Sequence, residues 1–214
     1  MAVKTYSLKK DGNKSLSKNF KVKEFRCKDG SDEILICEKL VKLLQKVRDK
    51  FGKVSISSAY RTAKHNAKVG GVPNSQHRYG TAADITIKKN NQLLECARYA
   101  EKIGFTGIGL DNKYQMFIHL DTRPSVSYFR YNSSGGTYSV PSFFNTVKIG
   151  MQNEDVKELQ KRLNALGFKG KNGEVLSVDG IFGSSTEHAL INYQKTHQLT
   201  ADGVAGPKTW RKIY

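Results

Sequence analysis

Apolar residues recur along the first two thirds of the chain at two different periods. Across residues 33–51, Ile36, Leu40, Leu44, Val47 and Phe51 fall at helical spacing, with Lys42, Lys46, Arg48 and Lys50 filling other positions. Residues 91–103 repeat that spacing through Leu93, Leu94, Ala97, Ala100 and Ile103, and Gly104 supplies a stop. Three shorter segments, 54–58, 82–87 and 116–121, lean toward alternation and predict strands. Helices mixed with non-repeating strands predict an α+β domain.

The remainder reads as all-helical and smaller. Asn153 or a neighbour can cap a helix that runs to Leu166, with Val156, Leu159, Leu163 and Leu166 on one face. Ser184 or Ser185 can cap a second helix running to about His197, and Pro207 suits the first position of a third. Asp179-Gly180-Ile181-Phe182-Gly183-Ser184-Ser185-Thr186 is echoed by Asp202-Gly203-Val204-Ala205-Gly206-Pro207-Lys208-Thr209. Two copies of a turn-helix unit predict a three-helix bundle with pseudo-symmetry, since a solenoid needs about three or more repeats. Residues 132–142 are rich in Ser and Gly and carry no charge, which predicts a linker. The expected division is a domain over 1–131, a flexible linker over 132–146 and a second domain over 147–214.

Charge changes this picture. The 214 residues hold 36 Lys+Arg and 19 Asp+Glu, a net charge of +17. Residues 1–131 carry 26 of the basic and 12 of the acidic groups, so the excess belongs mainly to the first domain. A polyanionic partner is implied: nucleic acid, an anionic membrane face or an acidic wall polymer. No run of about 18 apolar residues is present, so membrane insertion is not expected. The first twenty residues are polar and Lys-rich, without the apolar stretch of a secretory signal. The three cysteines, Cys27, Cys37 and Cys96, form no CxxC pair and read as small buried hydrophobes.

The candidate chemistry lies in Ser75-Gln76-His77-Arg78-Tyr79-Gly80-Thr81-Ala82-Ala83-Asp84, followed by Phe117-Ile118-His119-Leu120-Asp121. Imidazole nitrogen and carboxylate oxygen are zinc donors, and three protein donors with one open position is the catalytic arrangement. Alternation puts Asp84 on one face of its strand and His119 with Asp121 on one face of another. Two adjacent strands can therefore deliver Asp84, His119 and Asp121 to one spot, with His77 completing it from a loop.

Ser-x-His-x-x-Gly-x-Ala-x-Asp with a later His-x-Asp resembles the zinc D-Ala-D-Ala carboxypeptidase/endopeptidase family, which shares its fold with the hedgehog signalling domain. Leu16-Ser17-Lys18-Asn19-Phe20, Glu24-Phe25, Ser58-Ala59-Tyr60-Arg61, Asn66-Ala67-Lys68-Val69-Gly70-Gly71 and Gly107-Ile108-Gly109 add to the likeness, which spans roughly residues 15–131. The resemblance implies zinc held by His77, Asp84 and His119, with Arg61 contacting a substrate carboxylate or the developing oxyanion. Ser75 is expected to orient a ligand or touch substrate. Many relatives carry a Glu three residues before the last zinc His, or a His two before it. Here Met116 and Phe117 stand there, so Asp121 is the expected general base and Asp111 the runner-up.

Residues 150–210, including Asp155-Val156, Leu159-Gln160, Leu163, Gln194-Lys195 and both Asp-Gly turns, are similar to the peptidoglycan-binding three-helix module. Together the halves resemble a phage endolysin: a peptidoglycan peptidase made in the cytoplasm without a signal peptide and acting at the wall after release. The alternative is a non-catalytic wall-binding protein with a structural zinc. Peptidoglycan, with anionic wall polymers, is the expected partner. Nucleic acid is not, because no helix-turn-helix, zinc-finger spacing or RNA-binding aromatic motif is present. Two compact domains bury their own cores, so a monomer is expected.

Overall fold

The computed structural model describes residues 2–88, 92–111, 117–132, 134 and 136–214. The chain divides into two compact units, Met1–Phe143 and Phe144–Tyr214.

The first unit is mixed α and β, as its two periods predict. An antiparallel ribbon pairs β1 (Val3–Ser7) with β2 (Glu33–Cys37). The main sheet contains β3 (Val54–Ser58), β4 (Ala82–Ile87), β5 (Gly107–Asp111), β6 (Ile118–Asp121), β7 (Ser127–Tyr131) and β8 (Thr137–Val140). Their spatial order is β3-β4-β6-β5-β7-β8, antiparallel except where β5 meets β7. Helices α1 (Leu8–Asp11), α2 (Glu38–Phe51), α3 (Ala63–Lys68) and α4 (Leu93–Ile103) complete the unit.

Alternation sorts the two faces of the sheet. Ala83, Ile85 and Ile87 of β4, Ile108 and Leu110 of β5, and Ile118 and Leu120 of β6 enter one core with Leu40, Leu44 and Val47 of α2 and Ala97 and Ala100 of α4. Asp84, His119 and Asp121 take the opposite face.

Two expectations need correction. The helix predicted across 33–51 begins only at Glu38, and its first five positions form β2. The alternating β-branched Ile34 and Ile36 point into the core there, and pairing with β1 satisfies their backbone. Within the stretch predicted as a linker, Thr137–Val140 form the last strand of the main sheet. Tyr128–Tyr131 pair with Thr137–Val140, and the amide of Asn132 donates to the Gly136 carbonyl across the turn. Ser and Gly suit a hairpin turn as well as a flexible connection, and composition does not separate the two. The boundary between units falls at Phe143/Phe144.

The second unit is helical, with α5 (Glu154–Ala165), α6 (Ser184–Thr196) and α7 (Pro207–Ile213). The Asn153 side chain caps α5 by accepting from the Val156 amide, and Pro207 opens α7. The lone Trp210 is fully buried, stacks on Phe144 with ring centroids 4.6 Å apart and donates its indole N–H to the Asn145 carbonyl at 2.9 Å.

The repeat is carried by two buried glutamines. Gln160 donates through Nε2 to Asp179 Oδ1, the Ile181 carbonyl and Thr186 Oγ1, and accepts at Oε1 from the Gly180 amide. Gln194 makes the same four contacts with Asp202, Val204, Thr209 and Gly203. Asp179 and Asp202 each also accept from the amide two residues on. Each Asp-Gly turn is therefore pinned to the helix before it, which is the structural meaning of the repeated sequence.

Among the described residues, no helix is long and apolar enough to cross a membrane. The three cysteines are free and buried.

Candidate metal centre

The register of β4 and β6 sets Asp84 directly opposite His119, and Ala82 opposite Asp121. His77 arrives from the 3₁₀ turn Gln76–Tyr79. Gly80 ends that turn in the left-handed conformation, at φ +66°, with its Cα side pressed toward β2. A Cβ there would stand 2.2 Å from the Leu35 carbonyl oxygen, so glycine alone fits.

Three donor atoms converge. His77 Nε2 lies 3.2 Å from Asp84 Oδ1 and 3.2 Å from His119 Nδ1, and His119 Nδ1 lies 2.9 Å from the same Asp84 oxygen. All three side chains are buried. The far nitrogen of each ring fixes its tautomer. His77 Nδ1 donates to the Ala59 carbonyl at 2.7 Å, and His119 Nε2 donates to Asp121 Oδ2 at 3.0 Å. In neutral rings the two near nitrogens then carry lone pairs, facing each other and a carboxylate oxygen. Three acceptors in a buried triangle with no proton among them require a cation. The spacing suits zinc: tetrahedral bonds of about 2.0–2.1 Å put neighbouring donors about 3.3 Å apart.

In the metal-free protein a proton serves in the cation's place. Burial opposes charge on His119, but hydrogen bonds to Asp121 and Asp84 outweigh it and push the ring up to about 9. Burial likewise opposes charge on Asp84, yet hydrogen bonds from His119 and His77 hold its carboxyl well below the usual range.

The surroundings redistribute the roles expected from sequence. Asp121 is fully buried behind the His119 ring, on the nitrogen that points away from the donor triangle. Its other contacts go to Arg123, through the backbone amide at 3.0 Å and the guanidinium at 2.9 Å. Against the penalty of burial, the bonds from His119 and Arg123 bring its carboxyl down to about 2. Such a group orients His119, and it stands on the ring nitrogen that faces away from the triangle, where the sequence led us to expect the general base. Arg61 donates to Ser58 Oγ at 2.8 Å and to Asp84 Oδ2 at 2.7 Å, so it steadies a ligand carboxylate where a substrate contact was expected. Ser75 stands half-buried at the head of the turn without a side-chain capping bond, and the Ala59 carbonyl takes the orienting role assigned to it. Asp111 ends β5 opposite Tyr131, and its side chain lies outside the described residues, as does Met116.

Sequence reasoning missed Ala59, Arg123 and the use of Gly107. Ala59 acts through its backbone and leaves no sequence signal. Gly107 faces Asp121 across β5 and β6, and a Cβ there would lie 2.1 Å from the carboxylate. The Gly107-Ile108-Gly109 motif thus makes room for the group behind the ligand.

A mixed α/β domain with a buried His–Asp–His metal centre, followed by a helical module, defines a two-part metalloprotein. Residues 16–121 match the Peptidase M15 family, and residues 152–213 match the family described as a putative peptidoglycan binding domain. The first unit is a Peptidase M15 domain and the second a peptidoglycan-binding domain. Over 69 residues the chain is 42% identical to the zinc D-Ala-D-Ala carboxypeptidase of Streptomyces albus G, covering 32% of this chain and 26% of that protein. Over 61 residues it is 46% identical to N-acetylmuramoyl-L-alanine amidase CwlM of Mycobacterium tuberculosis, covering 28% and 14%. The crystal structure of the Burkholderia AP3 phage endolysin shares 42% identity over 32% of this chain and 24% of that one, with a TM-score of 0.29. The chain thus spans about a quarter or less of the length of these relatives.

Proposed function

We propose that this chain is a zinc-dependent peptidase that hydrolyses a peptide bond in the stem peptide or cross-link of bacterial peptidoglycan. The observation that carries the reading is the buried triangle of His77, Asp84 and His119, whose three inward-facing atoms lie 2.9–3.2 Å from one another, the spacing of neighbouring donors around a tetrahedral metal. Its support is the company it keeps, a Peptidase M15 domain joined to a peptidoglycan-binding domain.

Zinc bound there would lower the pKa of a water to about 7 and polarise the scissile carbonyl. The chain's own residues hold the donors in place. The Ala59 carbonyl and the Asp121 carboxylate fix which nitrogen of each histidine faces inward. Arg61 anchors the second oxygen of Asp84 and leaves the first for the metal. Ser75, at the mouth of the turn that carries His77, is the proposed substrate contact.

The D-Ala-D-Ala carboxypeptidase/endopeptidase type is our finer assignment, supported by the name of the Streptomyces albus G relative. Cleavage of a stem or cross-link bond, with the protein reaching the wall after cytoplasmic synthesis as endolysins do, fits wall lysis better than removal of a terminal D-Ala. The test is clearance of a wall suspension with and without chelator, followed by mass spectrometry of the fragments. Lysis should stop in chelator and return with zinc, and the new termini name the bond. Full lysis in chelator would sink the proposal. Wall binding without new termini at any zinc concentration would favour the structural-zinc alternative.

A further inference from the structure

The basic excess has a definite place in the first unit. Residues 1–53 hold 15 Lys+Arg against 7 Asp+Glu. Most of those acids are engaged in local structure. Asp11 accepts from the Ser7 amide, Asp32 from the Lys9 amide, Glu24 from the Lys21 amide and Asp29 from the Ser31 amide. The lysines remain exposed.

A groove of about 300 Å³ lies among β1, residues 14–17 and the first turns of α2. Lys4, Lys14 and Lys42 reach it from three separate elements, with Tyr6, Ser15 and Ser17 between them. Among the described residues the one acid on its wall is Glu38, which is paired with Lys4 at 2.5 Å. Lys42 also acts on Glu38 through space, so three lysines share one acid and the groove keeps two positive charges in excess. No catalytic side chain lies in it.

We propose that this groove binds the phosphodiester backbone of an anionic wall polymer and holds the peptidase unit to the wall independently of the helical module. The proposal rests on the wall-lytic reading above. Ammonium groups converging on a groove with hydroxyls beside them suit phosphate oxygens, and each phosphate contact releases a counterion. Single-stranded nucleic acid needs exposed rings on which successive bases stack. Among the described residues the groove has one ring, the half-buried Tyr6, and the Lys14 ammonium lies over it at 5.7 Å from the centroid. A base has no face to stack on, while a phosphate meets the ammonium that covers the ring.

The experiment uses the full chain and a Lys14→Gln/Lys42→Gln double variant. Each is sedimented with purified Gram-positive walls across a salt series, with intact walls and with walls acid-extracted to remove their phosphodiester polymer. On intact walls the variant should bind several-fold more weakly, and its log affinity should fall less steeply with log salt, by roughly one unit of slope per lysine removed. On extracted walls the two proteins should bind alike. Zinc content and hydrolysis of small soluble peptidoglycan fragments should be the same for both. Equal binding and slope on intact walls overturns the proposal, and so does an equal loss on extracted walls, which would move the contact to peptidoglycan itself. A groove-dependent affinity for single-stranded DNA above that for intact walls also overturns it, in favour of nucleic acid. Failure to cleave soluble fragments would instead break the peptidase reading and leave the binding comparison intact.

Discussion

Both units bury polar side chains, and they do so to opposite ends. In the helical unit Gln160 and Gln194 meet partners at both the amide nitrogen and the amide oxygen, all from within the chain. In the peptidase unit His77, Asp84 and His119 turn three acceptors on one another. A satisfied buried network rigidifies a fold, whereas inward-facing metal-donor atoms crowded into one buried triangle offer a seat for a cation. The comparison separates the structural polar core from the functional one without reference to either domain's relatives.

The largest expected effect comes from removing a corner of the triangle. His77→Ala or Asp84→Ala should leave a folded protein that retains no stoichiometric zinc after dialysis and clears no wall suspension. Metal analysis beside circular dichroism checks this, and a folded, metal-free variant with undiminished lysis would break the model.

Next in size are the glutamines. Gln160→Leu and Gln194→Leu each strand the amide of a turn glycine and remove the donor for an aspartate. Each should destabilise the helical unit by about 2–3 kcal/mol in denaturant unfolding, with zinc content unchanged. The matched contacts predict similar losses for both, and a neutral Gln194→Leu would show that the repeat is not energetically symmetric.

Asp121→Asn should weaken zinc affinity by about 10–100-fold while the protein stays folded, because the ring behind which it stands loses a charged acceptor. Competition with a chromophoric chelator measures this. Gly107→Ala, which touches no ligand, should act in the same direction by displacing the Asp121 carboxylate. If Asp121→Asn binds zinc normally but turns over slowly, the general-base role returns to Asp121.

The smallest effect is in pH. In chelator, His119 binds its proton more tightly when folded, with its value raised from 6.5 to about 9. Its stabilising contribution is therefore complete below about pH 6.5 and lost as pH rises through 9. Asp121 works the other way: lowered from 3.8 to about 2, it contributes above pH 3.8 and its share is lost as pH falls through 2. Zinc must displace the His119 proton, so apparent zinc affinity should rise across the window in which metal-free stability falls. Melting temperatures with and without zinc from pH 6.5 to 9 should diverge, and parallel curves would contradict the assignment of the triangle.

Much of this was legible in the sequence. Alternation around Asp84 and His119 predicted a shared site face, and the structure sets the two residues directly opposite each other. Asn153 and Pro207 marked their helix starts, and the two Asp-Gly segments marked a real repeat. Ile34 and Ile36 misled because a short apolar run reads equally well as the start of the helix that follows it. The uncharged Ser/Gly stretch misled because its pairing partner, β7, lies on the other side of the turn.

The sequence by itself determined which residues could hold a metal, which faces they share and where the helical module begins. These are local matters, set by side-chain chemistry and by periods of two and 3.6 residues. Only the tertiary structure decided what each polar group does. Asp121 stands two residues from His119 on the same strand face, as the period demands, yet it meets the ring from behind because Arg123 and the space above Gly107 hold it there. The Ala59 carbonyl reaches His77 from 18 residues away. The direction of an imidazole lone pair is set by whatever accepts the proton on its other nitrogen, and that partner is chosen by packing.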